Sequence, residues 1–447
     1  LTDGRRADEE LLMQRGTVRS RGVSRRGVLR AGLALAVGGP LVVSPRVLGV
    51  DGKAPPSERV RLGFIGVGGH GWGYNLKSFL QQKDAEVVAV CDVFADRRER
   101  AVRTVAEQAG QKGAKAYEDF RQLLADPNVD AVCISTPDHW HVPMSMMAVE
   151  AGKDVMCEKP TLTIAEGRGL VELVERKKAV YQVGLEDRSI VYYHKLAEWC
   201  RNGAIGRLKT MRVWLPAGEV FAKEEPAPVP KGLNWEMWQG PAPEHPYTPT
   251  RTGEQQWRNI RMYAGGKFAD WGAHLIDTAQ IANFAELSGP VEVEGTGDVP
   301  PDAMTTMPVR YSLKYRYANG VEMIVETGNP SLRFEGTDGW VGNKGWRGPL
   351  EASSKEILHT KYEPEKSKMW PRPPGEHRDF LDCVKSRKAT TYPAEHGQRL
   401  STVMHIGNIA IELGRKLTWD PGAEAFVNDE GANRLRSRES REDWKKA

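Results

Sequence analysis

Residues 59–71 narrow the possible folds more than any other part of this chain. The segment Arg59-Val-Arg-Leu-Gly-Phe-Ile-Gly66 reads as a buried strand and runs directly into Gly66-Val-Gly68-Gly69-His-Gly71. Glycines here leave no side chain in the way of a tight turn, or of a pyrophosphate approaching the backbone. A helix opening at the last of them turns its unpaired N–H groups and positive dipole end toward that anion. A lone GxGxxG is weak, since the same glycines can serve only a tight strand-to-helix turn. The context decides: Asp92 ends the next strand, 21 residues after Gly71, where a carboxylate can accept both hydroxyls of an adenosine ribose. Gly66, Gly68, Gly69, Gly71 and Asp92 are therefore the candidate dinucleotide site. A carboxylate repels a 2′-phosphate, so NAD is expected and NADP disfavoured, with Arg97 and Arg98 keeping the second option open.

The rest of the chain extends this start. Residues 86–92, 130–136 and 154–157 read as further buried strands, with amphipathic stretches near 72–82, 95–109, 141–151 and 163–177 between or after them. Such alternation implies a parallel sheet with right-handed crossovers. After about residue 185 the texture changes to long alternating runs at 209–215, 309–318, 321–327 and 331–335, two of them joined by the turn signal Ala318-Asn319-Gly320. The expected fold is α/β plus α+β. A Rossmann domain occupies 59–185, and a domain with a large, mostly antiparallel open sheet occupies 186–429. The segment 216–262, rich in Pro, Gly and Trp, reads as a long ordered loop over a site. Residues 430–447 read as a charged, solvated tail.

The N-terminal end carries a different message. Ser24-Arg25-Arg26-Gly27-Val28-Leu29-Arg30 precedes a short apolar run at 31–43, too short to span a bilayer as a conventional helix. Paired arginines before such a run predict a twin-arginine export signal over 1–48, and hence a periplasmic or otherwise exported protein. Nine of the 63 basic residues but only four of the 59 acidic ones lie in that leader, so the net charge of +4 falls to −1 without it. Nothing in the remainder then argues for nucleic acid, and no later segment reads as a membrane span. Five scattered cysteines form no CxxC pair. They suit a protein folded in a reducing compartment and exported folded.

Three further segments carry chemistry. Ser135-Thr136-Pro137-Asp138-His139-Trp140-His141 follows a strand end, where open α/β sheets bind ligands. Thr136 and Pro137 can pack along a nicotinamide ribose, with His139 and His141 shaping the pocket rather than binding metal. Glu158-Lys159-Pro160 ends another strand at the same edge, and a cis bond to the proline would aim Lys159 into the cleft. In Gly265-Gly266-Lys-Phe-Ala-Asp270-Trp271-Gly272-Ala273-His274-Leu-Ile-Asp277, the pair Asp270 and His274 shares one helix face. A neutral imidazole there can take the proton of a carbinol as its hydride departs. A helix-capping Asp270 beside a structural His274 is the plainer alternative. No cluster has convincing metal spacing. Trp140, Trp235, Trp238, Trp257 and Trp271 can stack on a sugar face or simply fill a core.

In this order and spacing the motifs resemble the Gfo/Idh/MocA oxidoreductases, over essentially all of residues 59 to about 421. The resemblance is closest to the exported sugar-dehydrogenase-like branch. It implies that Lys159 binds the reacting hydroxyl and relays its proton, that His274 is the base, and that Asp270 orients the reacting groups. Asp277, Trp271 and Arg258 become candidate substrate contacts, and Glu158 and Lys159 join the cofactor set. It also implies a sugar substrate and a homo-oligomer, dimer or tetramer, built on the open sheet. Some exported relatives are NAD-dependent glycosidases that oxidise, eliminate and re-reduce. Those lack an obvious Glu-Lys-Pro motif, so Lys159 favours oxidoreductase chemistry. A non-catalytic sugar- or cofactor-binding protein is the reading from another class, and the retained Lys159, Asp270 and His274 argue against it.

Overall fold

The computed structural model describes residues 55, 58–108, 111–441 and 444. The export signal expected at residues 1–48 lies outside them. Six strands form the first sheet: β1 (Val60–Ile65), β2 (Ala85–Cys91), β3 (Lys115–Tyr117), β4 (Ala131–Ile134), β5 (Asp154–Glu158) and β6 (Tyr181–Gly184). They lie in the order β3-β2-β1-β4-β5-β6, all parallel. This is the doubly wound Rossmann order, in which ligands bind at the carboxyl ends where the winding reverses between β1 and β4. Helices cover both faces, so the central strands are apolar along their length: all four residues of β4 are buried. Cys91, Cys133 and Cys157 are buried on these strands as free thiols.

A second sheet follows, with nine strands: β7 (Leu208–Leu215), β8 (Glu292–Asp298), β9 (Arg310–Arg316), β10 (Glu322–Thr327), β11 (Ser331–Gly336), β12 (Trp340–Asn343), β13 (Leu350–Ala352), β14 (Leu417–Asp420) and β15 (Ala425–Phe426). Their order is β13-β12-β11-β7-β10-β9-β8-β14-β15, antiparallel except for the β7–β10 pair. Strict alternation marks it as half-covered. On β9, Tyr311, Leu313 and Tyr315 are buried while Arg310, Ser312, Lys314 and Arg316 face outward. Helices Gly266–Ala282 and Ala394–Leu413 pack on the covered face and on each other. The turn at 318–320 is a tight hairpin, with Gly320 at φ 83°. Among the described residues, no helix is long and apolar enough to cross a membrane.

Two expectations need correction. The described part of the tail is docked rather than solvated. Arg438 donates to Glu166 Oε1 (2.7 Å) and to the His139 carbonyl (2.9 Å), and Trp444 meets Trp140 edge-on at 5.0 Å. Its charges find partners on both domains, Arg438 on Glu166 and Arg441 on Glu236. Asp277 does not meet a substrate either. It lies on the same helix face as Asp270 but about 10 Å further along the axis, where the Arg188 guanidinium grips both its oxygens (2.6 and 2.7 Å). Both side chains are almost fully buried. Removing one partner of such a pair strands a buried charge. Asp277→Ala is therefore expected to lose about 3–5 kcal/mol of stability. Denaturant unfolding would show it as a lowered midpoint.

Candidate active site

The ends of β1, β4 and β5 open into a cavity of about 400 Å³, closed on its far side by helix Gly266–Ala282 and the segment that precedes it. The glycine loop forms one wall. Gly66 sits at φ 83°, and a Cβ on Gly71 would stand 2.1 Å from the Gly66 carbonyl oxygen, so no other residue fits that crossing. Helix Gly71–Leu76, continuing through Lys77–Leu80, starts there. Asp92 accepts the Val67 N–H at 2.8 Å on one oxygen and the Phe94 N–H at 2.9 Å on the other. Each carboxylate oxygen keeps a further lone pair for a ligand hydroxyl. Thr136 Oγ1 lies buried without a partner on the same cavity wall. A glycine cradle, a helix start, a spare carboxylate edge and an unsatisfied hydroxyl together fit a dinucleotide. Arg97 stands beside Gly68 with its guanidinium on the Phe94 ring.

At the other end, residues from both domains converge. The Lys159–Pro160 peptide is cis, and Lys159 Nζ donates to the Asp270 carbonyl (2.8 Å), to Asp270 Oδ1 (3.2 Å) and to His274 Nε2 (3.1 Å). On the far side of the ring, His274 Nδ1 lies 2.9 Å from Asp187 Oδ2. A carboxylate can only accept, so the proton sits on Nδ1, and the Nε2 lone pair accepts an N–H of Lys159 at the cavity wall. Burial works against the charge of Asp187, but the His274 hydrogen bond and the nearby Arg347 guanidinium outweigh it and keep it ionised. Asp270 is likewise held well below the usual carboxylate range: Lys159, Arg258 and His274 overcome its burial. Arg258 Nε is 3.4 Å from Asp270 Oδ2. The ammonium, the imidazole and two ionised carboxylates form one connected relay.

Comparison with known proteins places this geometry. Residues 60–185 match the oxidoreductase family's NAD-binding Rossmann fold, and residues 212–446 match its C-terminal alpha/beta domain. The chain belongs to the Gfo/Idh/MocA oxidoreductase family. Among solved structures it is similar to GenD2 from gentamicin A biosynthesis in complex with NAD, with a TM-score of 0.61, 18% identity and coverage of 83% of this chain and 99% of that one. Another is the aldose-aldose oxidoreductase of Caulobacter crescentus, at TM-score 0.58 and 18% identity over 80% and 99% of the two chains. Among curated relatives, a glycosyl hydrolase family 109 protein of Shewanella pealeana is 33% identical over 173 residues, 37% of either chain. An alpha-N-acetylgalactosaminidase of Shewanella oneidensis is 36% identical over 127 residues, 28% of either chain. The chain thus aligns with only 37% and 28% of the length of those two curated relatives.

Within this Gfo/Idh/MocA site, most residues singled out from sequence line the cavity: the four glycines, Asp92, Thr136, Pro137, His141, Glu158, Lys159, Arg258, Asp270, Trp271 and His274. His141 does so as a brace, with its ring nitrogens 2.8 Å from the Thr136 and Pro160 carbonyls. Glu158 is held well below the usual carboxylate range, against its burial, by His70 at 3.0 Å and by Asn75. His139 is misplaced by the sequence reading. It points away from the cavity, fully buried among Trp140, Trp238 and Tyr263, with Nε2 2.9 Å from the Trp238 carbonyl. It follows Asp138 by one residue on a helix, so it faces about 100° away from it. Trp140, Trp235, Trp238 and Trp257 are chiefly packing residues, and Trp271 meets Trp346 at 5.1 Å on the cavity wall.

Sequence reasoning missed Asp187, Trp346, Arg347 and Asp138. Asp138, pushed up to about 8 by burial, also lines the wall. Glu186, Asp187 and His274 also gather donor atoms within 4.8 Å of one another, a cluster that the chain's linear spacing does not announce. The glycine crossing yields a direct test. Gly71→Ala must push the loop off Gly66, and calorimetric titration with NAD is expected to show binding weakened at least about tenfold, equivalent to ~1.4 kcal/mol.

Proposed function

We propose that the protein is a nicotinamide-dependent oxidoreductase that oxidises a carbinol of a sugar or sugar derivative. The observation that carries this reading is Lys159 Nζ, in contact with both His274 Nε2 and Asp270 beside the glycine cradle. The glycine loop, Asp92, Thr136, Pro137 and Glu158 would hold the dinucleotide. When bound, the nicotinamide supplies the hydride acceptor. Lys159 binds the substrate hydroxyl and, as a cation, stabilises oxygen charge as the O–H weakens. The Lys159 N–H that points at His274 Nε2 passes to it as the lysine takes up the hydroxyl proton, and Asp187 stabilises the imidazolium that results. Asp270 fixes the position of Lys159, and Trp271 offers an apolar face to a sugar ring. Asp92 favours NAD over NADP.

A sugar substrate is supported by the solved relatives: one is an aldose-aldose oxidoreductase, and a Bordetella pertussis relative is a dehydrogenase in complex with NADH and UDP-GlcNAcA. Export through the twin-arginine leader belongs to the same reading. Outside the cytoplasm a diffusible cofactor would not be renewed, so the dinucleotide is resident and the hydride returns to the same or a second substrate. A homo-oligomer covers the outward face of the second sheet. The glycosidase relatives favour one variant, in which transient oxidation acidifies the neighbouring C–H and the glycosidic substituent is eliminated before re-reduction. Deuterium exchange at that carbon together with aglycone release would distinguish it, since simple oxidation gives neither.

Mass spectrometry of nucleotide released from denatured, pure protein is expected to find NAD. Adding candidate sugars to the native protein should raise NADH absorbance. Lys159→Ala should keep the nucleotide and slow that signal by about 10²–10⁴-fold. Protein that carries no nucleotide and binds NAD only weakly would sink the resident-cofactor reading.

A further inference from the structure

The hairpin loop at 344–349, between β12 and β13, reaches from the second sheet into the cavity wall. Lys344 N–H donates to the Pro349 carbonyl and Gly348 N–H to that of Gly345, both at 3.0 Å, which closes the loop. Arg347 sits inside it at φ 53°, a left-handed conformation that glycine adopts freely and arginine does not. Its backbone N–H donates to the hydroxyl of the buried Tyr193 at 2.8 Å. An unfavourable backbone held in this way points to a side chain in use.

That side chain lies over the Trp346 ring at 4.3 Å and ends in the acidic turn that supports His274. Its Nε donates to Asp187 Oδ1 at 2.8 Å, and one terminal nitrogen lies 2.6 Å from both Glu186 Oε1 and Asp187 Oδ1. The other oxygen of Asp187 is the one that faces His274 Nδ1. Two carboxylates on adjacent residues therefore share one cation, and His274 leans on the same carboxylate from the opposite side.

We propose that Arg347 is the built-in counter-cation of this turn and a positioning residue for His274, acting through Asp187. By neutralising Glu186 and Asp187 it keeps Asp187 turned toward Nδ1, without leaving two unpaired anions to convert the ring to imidazolium. The inference rests on the reading of His274 as the group that accepts the substrate's proton. The charged groups facing the ring come from four elements. Lys159 stands at the end of β5, Asp270 on the ring's own helix, Asp187 and Glu186 on the turn after β6, and Arg347 on the hairpin. Removing Arg347 takes away the only one of the two cations that lies on the carboxylate side. The remaining anions then favour the protonated ring, so the sign of the effect is an upward shift of the His274 titration.

The test uses the full-length protein labelled at histidine ring nitrogens, with the His274 resonance assigned by its loss in His274→Gln. Arg347→Met is expected to raise the His274 titration midpoint by about one pH unit. Arg347→Lys, or guanidinium ion added to Arg347→Met, should bring it back most of the way. If Arg347→Met does not fold, Arg347→Gln carries the same measurement, with Arg347→Lys as the charged control. An unchanged His274 midpoint in the folded neutral variant would overturn the proposal. So would an Arg347→Lys midpoint displaced as far as that of the neutral variant. The readout needs neither NAD nor a sugar, so failure of the oxidoreductase reading leaves the result interpretable.

Discussion

Asp277 lies in the interior with both oxygens on the guanidinium of Arg188, and that pair sets where helix Gly266–Ala282 stands against the turn at residues 186–189. The helix is buried along most of its length, as a helix apolar on all sides must be. Burial alone leaves such a cylinder free to slide or rotate by small amounts, because apolar contacts are not directional. The ion pair removes that freedom. It links the helix to the residues immediately beside Asp187, so His274 and Asp187 keep a 2.9 Å hydrogen bond instead of an average proximity. Desolvating both ions costs free energy that hydrophobic residues would not incur, so the pair is better understood as fixing register than as adding stability.

The relay inherits its accuracy from this arrangement. Lys159 leaves the end of a strand in the first domain, whereas Asp270 and His274 belong to a helix seated on the second sheet. Their contacts therefore exist only while the two domains hold their packed positions. Asp270 remains ionised although its side chain is largely buried, because Lys159 and Arg258 stand on either side of it. Each charge in this part of the cavity is stabilised by an opposite one reaching it from a different element. Such an arrangement is stable as a set and costly to lose in part.

How much of this was legible in the sequence follows from the range of the interactions. The Rossmann half was readable because its signals are local: apolar strands, a glycine run, and an acidic residue at the next strand end. The second sheet announced four of its strands through period-two alternation, while the short β12 to β15 and the weakly apolar β8 gave no comparable pattern. Asp270 and His274 were readable because four residues make one helical turn. The family resemblance, not the periodicity, suggested Asp277 as a substrate contact, and it shares their face but not their depth; a one-residue offset misplaced His139. Asp187 and Arg347 were invisible because their roles depend on partners 87 and 160 residues away in sequence. The tail failed for a related reason: a charge-rich segment looks solvated until its counter-charges, such as Glu166 for Arg438, are known.

The two halves of the site also differ in how much sequence freedom they leave. The cradle is set by backbone crossings such as Gly66 over Gly71, where any Cβ collides. The opposite wall draws on connecting segments: the 216–262 segment supplies Arg258 beside the packed Trp238 and Trp257, and the 344–349 hairpin supplies Trp346, with Arg347 behind it on the acidic turn. Loops tolerate change because most of their surface is not committed to a core. A fold of this kind can therefore keep its dinucleotide wall and its lysine–histidine relay while exchanging the surfaces that select a substrate. Here the exchangeable surface and the relay are not independent. Arg347 belongs to the hairpin and also holds the carboxylate behind His274, so a change made through that loop would act on His274 as well.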